Sequence, residues 1–357
     1  MTNVSEPQIL DALRMVVDPG VGRDIVSSGS VQNIKIDGGA VEFDLLISEA
    51  TVPHIEPLKE QCTQILSAIA GVERLTVNMS GNPQQQAEPL IPGVKQVIAV
   101  ASGKGGVGKS TTTMNLALAL HQQGARVGIL DADIYGPSLP RMMGVMSMPR
   151  IEAEKGEKVT PMEKYGVKIM SMGFFMPEDT PMIWRGPMVG MAVEQLLRDI
   201  DWGELDYMVI DLPPGTGDAQ LTLTQKVPLS GVVIVSTPQD VALADVRKGV
   251  NMFKKVETPV LGIIENMSYY ECSECGHRAE IFSHGGAEKE AENTGMAFLG
   301  HIPISEDIRK DSDSGKPIVV ARPDSPQAKQ YGEIAKAVKA KLEAGGSAPK
   351  MPKIVVE

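Results

Sequence analysis

The chain has 357 residues, enough for about two domains at roughly 150 residues each and for cores of ordinary size. Apolar residues make up 42% and charged residues 22%, which excludes a disordered or fibrous chain, and aromatics at 4% argue against a binder that stacks single-stranded bases. The net charge of −11, from 34 basic and 45 acidic residues, argues against a general nucleic-acid surface, and three cysteines, Cys62, Cys272 and Cys275, are too few and too odd in number for a disulfide framework.

Met1 to Arg14 carries Glu6 and Asp11 and lacks a basic region followed by an apolar run, so no targeting segment is expected. No stretch of 18 apolar residues exists, so no membrane span is expected either. The expected compartment is the reducing cytoplasm, where thiols serve metals or redox chemistry more often than crosslinks. Ile9, Leu10, Leu13, Val16 and Val17 fall at helical spacing, and Asp18-Pro19-Gly20 ends that helix. Val41, Phe43, Leu45 and Ile47 alternate as a half-buried strand. The run from Val31 to Ile36 is its partner across an Asp37-Gly38-Gly39 turn. Ile55, Leu58, Cys62, Ile65, Leu66 and Ile69 predict a second helix, with Cys62 as a core thiol, and Leu75 and Val77 a last short strand. Residues 1–78 thus read as a small α+β domain of order αββαβ. Residues 79–95, with Gly81-Asn82-Pro83, three glutamines and Pro92-Gly93, read as a linker.

Residues 96–344 follow another pattern. Short apolar runs recur at Val97–Ala101, Val127–Leu130, Val167–Met170, Tyr207–Ile210, Val232–Val235, Val260–Ile264 and Phe298–Ile302. Several are almost continuously apolar, as strands buried on both faces are. Helical segments separate most of them: Thr111–Gln123, Met188–Asp199, Val241–Lys255 and Ala287–Asn293, with a last helix from about Gln327 to Glu343. This alternation predicts an α/β domain, doubly wound around a mostly parallel sheet. Methionines in Met142–Met148 and Met162–Met191 suit core filling or an adaptable interface. Residues 345–357, rich in Gly, Pro and Lys, read as a flexible tail.

Gly103-Lys104-Gly105-Gly106-Val107-Gly108-Lys109-Ser110 fits the phosphate-loop pattern G-x-x-x-x-G-K-[ST], between an expected strand and an expected helix that begins at Thr111. The glycines let backbone N–H groups turn toward phosphate oxygens, and the helix N-terminus adds partial positive charge. Lys109 is the expected ligand of the β- and γ-phosphates of ATP, and Ser110 of Mg²⁺. The second lysine, Lys104, resembles the signature of the deviant phosphate-loop class that includes MinD, ParA, the nitrogenase iron protein and the arsenite-pump ATPases. That resemblance implies a homodimer in which Lys104 reaches the partner's nucleotide. Asp211 ends an apolar strand, as a Mg²⁺-positioning carboxylate must, and leads into Leu212-Pro213-Pro214-Gly215-Thr216-Gly217-Asp218. In the resembled class Asp133 positions the attacking water, and the segment after Asp211 is a loop that changes shape on hydrolysis. Asp131 reads either as a further functional carboxylate or as a turn residue supporting Asp133, so the catalytic assignment goes to Lys104, Lys109 and Asp133. Asn266 sits where an adenine-contacting Asn stands in that class, and its amide offers both a donor and an acceptor.

Cys272-Ser273-Glu274-Cys275-Gly276-His277 supplies two thiolates to one side of a metal, half of a four-coordinate site. The pair suits four arrangements: a zinc site completed by His277 or His284, a redox pair, a structural pair without ligand, or a [4Fe–4S] cluster shared by two chains. The dimer called for by Lys104 favours the last.

Residues 97 to about 335 closely resemble the Mrp/ApbC family of iron–sulfur cluster carrier ATPases. The matches are Gly103–Ser110, Asp131–Ser138, Trp184-Arg185-Gly186-Pro187, Trp202–Tyr207, Asp211–Asp218, Asn266-Met267-Ser268 and Cys272/Cys275. The resemblance implies a labile [4Fe–4S] cluster at a homodimer interface. It also implies transfer to apo iron–sulfur proteins, contacts with cluster-assembly scaffold proteins, and coupling to ATP hydrolysis. Residues 5–78 look like the small SufT-like domain that often precedes such ATPases, with Asp18-Pro19 matching its Asp-Pro. The cysteine common after its second strand is absent, and Thr51-Val52-Pro53-His54 stands there, so partner docking is the expectation for this domain. The rival readings are a MinD/ParA-like positioning ATPase, for which the cysteine pair has no purpose, and a zinc-stabilised nucleotide switch. No nucleic acid and no membrane is expected as a partner.

Overall fold

The computed structural model describes residues 4–19, 22–47, 51, 54–72, 74–81, 90–146, 158–175 and 186–345. The chain divides into two compact units, Met1–Pro89 and Leu90–Glu357.

In the first unit, α1 (Glu6–Leu13) starts at Ser5, whose backbone N–H donates to Gln8 Oε1 at 3.1 Å in a capping box. A two-residue pair, β1 (Val17–Asp18) and β2 (Arg23–Asp24), follows, which the apolar pattern does not announce. β3 (Val31–Asp37) and β4 (Ala40–Ile47) form the expected antiparallel hairpin. After α2 (Ile55–Ser67), β5 (Arg74–Gly81) returns parallel to β4. The core is Ile9, Leu13, Val16, Ile25, Val41, Phe43, Leu45, Leu58, Cys62 and Leu66, so Cys62 is a core thiol, and burial pushes its pKa up to about 11. Asp18 is also buried and accepts a 2.6 Å hydrogen bond from Thr51 Oγ1.

The second unit opens with β6 (Val94–Ala101), so both ends of the 79–95 stretch belong to strands. It continues through α3 (Lys109–Gln122), β7 (Val127–Asp131), α4 (Leu139–Met142), β8 (Met162–Lys164), β9 (Val167–Ser171), α5 (Gly186–Asp199) and β10 (Leu205–Asp211). Then come α6 (Asp218–Lys226), β11 (Gly231–Ser236), α7 (Asp240–Lys255), β12 (Val260–Glu271), β13 (Arg278–Ala279) and α8 (Gly286–Thr294). β14 (Phe298–Ile304), α9 (Glu306–Asp313), α10 (Ile318–Ala321) and α11 (Pro326–Gly345) complete it.

The sheet order is β14-β12-β11-β6-β10-β7-β9-β8, parallel except for β8, with β13 antiparallel to the far end of β12. β7 and β11 are buried at every position, as two-sided burial of a parallel sheet requires. From β6 the chain crosses one way to β7, and from β10 it crosses the other way to β11. Right-handed crossovers then place α3 on one face and α6, α7 and α8 on the other. α11 packs on α3, and α5 on α6, which completes the two layers. The reversal leaves a crevice at the carboxyl ends of β6, β10 and β7, where such sheets bind ligands.

β12 runs to Glu271, beyond the expected end at Ile264, so Asn266, Met267 and Ser268 are strand residues. Its pairing with β14 is irregular between Asn266 and Tyr270, and Met267 there takes φ +56°, a left-handed conformation unusual outside glycine. Met143 and Met170 are core residues, whereas Met146, Met188 and Met191 are exposed. Trp184, Arg185 and the 346–357 tail lie outside the described residues.

Candidate functional site

The phosphate loop leaves β6 through Ser102, whose hydroxyl donates to the Lys104 carbonyl at 2.9 Å. A Cβ on Gly103 would lie 2.6 Å from the Asp245 Cβ on α7, so the loop starts against that helix. Gly106 (φ +79°) and Gly108 (φ +85°) turn the backbone, and Gly108 caps α3. A Cβ on Gly108 would fall 2.1 Å from Asn266 Nδ2. Asn266 Nδ2 donates to the Val107 carbonyl at 2.8 Å. One amide hydrogen of Asn266 therefore pins the loop, leaving Oδ1 and the second hydrogen for other partners.

Lys109 begins α3, is 6% exposed, and lies 2.9 Å from Asp211 Oδ1 and 3.3 Å from Asp133 Oδ2. Burial works against its charge, but Asp211 and then Asp133 outweigh that and hold its pKa above the ordinary lysine value. Ser110 Oγ donates to Asp211 Oδ2 at 2.5 Å, and Thr113 Oγ1 donates to Asp211 Oδ1 at 2.7 Å. Asp133 Oδ1 is buried and accepts no hydrogen bond from the described residues. Burial raises the Asp133 pKa, with Lys109 opposing. Asp131 takes the supporting role. Its Oδ1 accepts from the Asp133 N–H at 3.1 Å, and its Oδ2 accepts from the Leu139 N–H at 3.2 Å and Ser171 Oγ at 3.0 Å. Burial, then the charge of Asp211, push the Asp131 pKa up to about 7.

A cavity of about 270 Å³ lies over this cluster, lined by Gly105, Gly106, Lys109, Ser110, Asp133 and Pro214 among others. It shares Gly108, Thr111 and Met142 with a cavity of about 300 Å³ whose walls include Asn266, Met267, Phe282, Pro303 and Ile304. A polar cradle thus adjoins an apolar slot across the start of α3, as the phosphates and base of a nucleotide require. Lys104 is half-buried, and among the described residues no carboxylate lies within ion-pair distance of it.

The cysteine pair stands elsewhere on the same strand. Cys272 follows β12 directly and is half-buried, and Cys275 is exposed in the turn to β13. The Cys272 N–H donates to the His277 carbonyl, and the Gly276 N–H to the Cys272 carbonyl, each at 2.9 Å. Gly276 takes φ +68° to close the turn. The N–H groups of Cys275 and then Glu274, followed by the Cys275 side chain and the Tyr270 hydroxyl, hold the Cys272 pKa below the ordinary thiol value. A groove of about 380 Å³ borders Cys272, Tyr270 and Ser273.

Sequence reasoning missed Thr113 and Ser171. The hydroxyl of each bonds a carboxylate far along the chain, and no local pattern signals such a pairing.

The crevice at the sheet reversal and the loop entering α3 define a P-loop NTPase. Residues 93–339 match the family model described as "NUBPL iron-transfer P-loop NTPase", and residues 6–79 match one described as "Iron-sulfur cluster assembly protein". The chain is 43% identical over 342 residues to the "Iron-sulfur cluster carrier protein" of Synechocystis, covering 94% of this chain and 97% of that one. It is 56% identical over 265 residues to the "Iron-sulfur cluster transfer protein NUBPL" of Dictyostelium discoideum, covering 74% and 82%. A solved structure, a nucleotide-binding protein from Archaeoglobus fulgidus in complex with ADP, is 41% identical, with a TM-score of 0.57 over 66% of this chain and 91% of that one. The chain belongs to the NUBPL-type family of P-loop NTPases, the family of the iron–sulfur cluster carrier proteins.

Proposed function

We propose that this protein binds and hydrolyses ATP and carries a [4Fe–4S] cluster, which two copies of the chain hold through Cys272 and Cys275 of each and pass to apo iron–sulfur proteins. The carrying observation is the hairpin tip after β12: a two-thiol turn, half-buried at Cys272 and exposed at Cys275, whose N–H groups point at Cys272, with half the ligands a four-iron cluster needs. Its carriage by the strand that also holds Asn266 gives nucleotide and cargo a common element. The cluster is cargo, and a reducing compartment such as the cytoplasm keeps the thiols free to receive it.

At the loop, the N–H groups around Gly105 to Ser110 and the α3 N-terminus, with Thr111 beside them, bind the phosphates. Lys109 exchanges its carboxylate partners for phosphate oxygens. Ser110 and Asp211 form a hard-oxygen pair that fits Mg²⁺, which supplies charge neutralisation on the phosphate oxygens when bound. Asp133, with its unpartnered Oδ1, orients the attacking water. Lys104, with no carboxylate at ion-pair distance among the described residues, extends to the nucleotide of the second copy, and Asn266 meets the base.

Anaerobic reconstitution with iron and sulfide tests the cargo. The expected product is a brown protein whose visible absorbance is lost in Cys272→Ala/Cys275→Ala. A colourless wild-type protein carrying stoichiometric zinc contradicts the reading.

A further inference from the structure

Four side chains outside the phosphate site form a continuous chain between the nucleotide strand and the cysteine hairpin. Glu265, beside Asn266 in β12, is fully buried. Ser268 Oγ lies 2.5 Å from Glu265 Oε1 and 2.6 Å from His284 Nδ1, and Arg278 Nη2 lies 3.0 Å from His284 Nε2. Arg278 opens β13, pairs in register with Glu271, and stacks its guanidinium 4.0 Å from the Tyr269 ring centre. It is the first residue after the turn that carries both cysteines.

Elementary donor accounting fixes the direction of every link. Arginine has no acceptor, so His284 Nε2 accepts and the ring proton sits on Nδ1. Nδ1–H then donates to Ser268 Oγ, and the Ser268 hydroxyl donates to the Glu265 carboxylate. All three bonds run from cation to anion, an arrangement in which each bond polarises the next. Glu265 is fixed in turn by the Gly285 N–H at 2.9 Å and the Ala287 N–H at 2.7 Å, which anchor the start of α8. Burial works against its charge, but hydrogen bonds from His301 at 3.3 Å, then from Ser268, and then from these two N–H groups outweigh it and hold its pKa down at about 2, so it remains an anion. His301 flanks the chain, with Nδ1 3.0 Å from Ser268 Oγ and Nε2 3.6 Å from Glu288 Oε2. Glu265, His284 and His301 bring three ligand atoms within 4.8 Å of one another, but the proton on His284 Nδ1 makes them a hydrogen-bonded relay rather than a metal-binding set.

We propose that Glu265, Ser268, His284 and Arg278 are positioning residues that hold the return arm of the cysteine hairpin to the base-contacting end of β12, so that nucleotide at Asn266 alters the setting of Cys272 and Cys275. The left-handed Met267, between Asn266 and Ser268, is the joint at which the strand yields. The inference rests on the reading that Cys272 and Cys275 are the working thiols, but its test requires no cluster.

The test is the rate at which a neutral thiol reagent modifies Cys272 and Cys275 in the full chain, with and without Mg·ATP; buried Cys62 reacts far more slowly. In wild type, Mg·ATP changes the rate. In His284→Leu and in Arg278→Met the basal rate rises about tenfold, in line with the net worth of one charge-assisted hydrogen bond, and the response to Mg·ATP disappears. Arg278→Lys, which keeps the positive charge and an N–H donor for His284 Nε2, is expected to restore the wild-type response. Arg278 is exposed, so its variants isolate the relay from folding. Wild-type rates and responses in both His284→Leu and Arg278→Met overturn the proposal, as does a wild-type rate indifferent to Mg·ATP. A wild type that responds to Mg·ATP but binds no cluster would instead fault the cargo reading.

Discussion

Lys109 is caught between two carboxylates, and its neighbour Ser110 is bonded to one of them, so four groups adjacent in space already carry the charge pattern of a metal–phosphate site. Lys104 is the contrasting case, a lysine in the same loop with no such partner among the described residues. Lys104→Ala is expected to leave nucleotide affinity within about threefold and to lower hydrolysis about a thousandfold, the lower end of what a charge supplied from a partner contributes in phosphoryl transfer. Turnover and equilibrium binding measured on one preparation decide it. Asp131 makes a prediction about stability. Its pKa is raised from 3.8 to about 7, so between those values the folded protein holds a proton that the unfolded chain gives up. Without nucleotide, the contribution of Asp131 to stability is therefore expected to fall as pH rises from about 4 to about 7, by up to about 1.4 kcal/mol per pH unit. Denaturant titrations across that window should show this slope, and Asp131→Asn should flatten it.

The loop and its helix act as one element, and glycine placement shows how tightly it is built. Gly108 combines φ +85° with a Cβ position 2.1 Å from Asn266, whereas a Cβ on Gly105 meets nothing within 4 Å. Gly108→Ala is expected to cost about 1–3 kcal/mol of stability, and Gly105→Ala to leave the thermal midpoint unchanged. The element was legible in the sequence because its signals are local: glycine and lysine spacing, an apolar run before, a helical pattern after. β12 was half legible. Val260 to Ile264 read as a buried strand, but Asn266 to Glu271 carry the strand past the body of the sheet, where polar and aromatic residues replace the apolar signal. α6 and α9 escaped for a related reason, since neither shows a clear apolar stripe. α9 is mostly polar, held by Ser305 at its start and by the Lys310–Glu306 and Arg309–Asp313 pairs. Asp133 and Asp211 were visible as strand ends, while the hydroxyls that orient Asp131 and Asp211 come from 40 and about 100 residues away.

For the whole molecule, two thiols per chain, and a phosphate-loop lysine that meets no carboxylate among the described residues, both fit the proposed pairing with a second copy of the chain. The doubly wound sheet gathers its strand ends and its phosphate loop at one crevice, and the long β12 carries the cysteine turn beyond it. Cys62, the third cysteine, is sealed in the first unit's core and takes no part. Native mass spectrometry of the anaerobically reconstituted protein tests the shared cluster most directly. The expected result is a dimer carrying one four-iron, four-sulfide cluster, which Cys272→Ala/Cys275→Ala abolishes. Monomers each holding a complete cluster, or a dimer whose only metal at the cysteines is zinc, would contradict it.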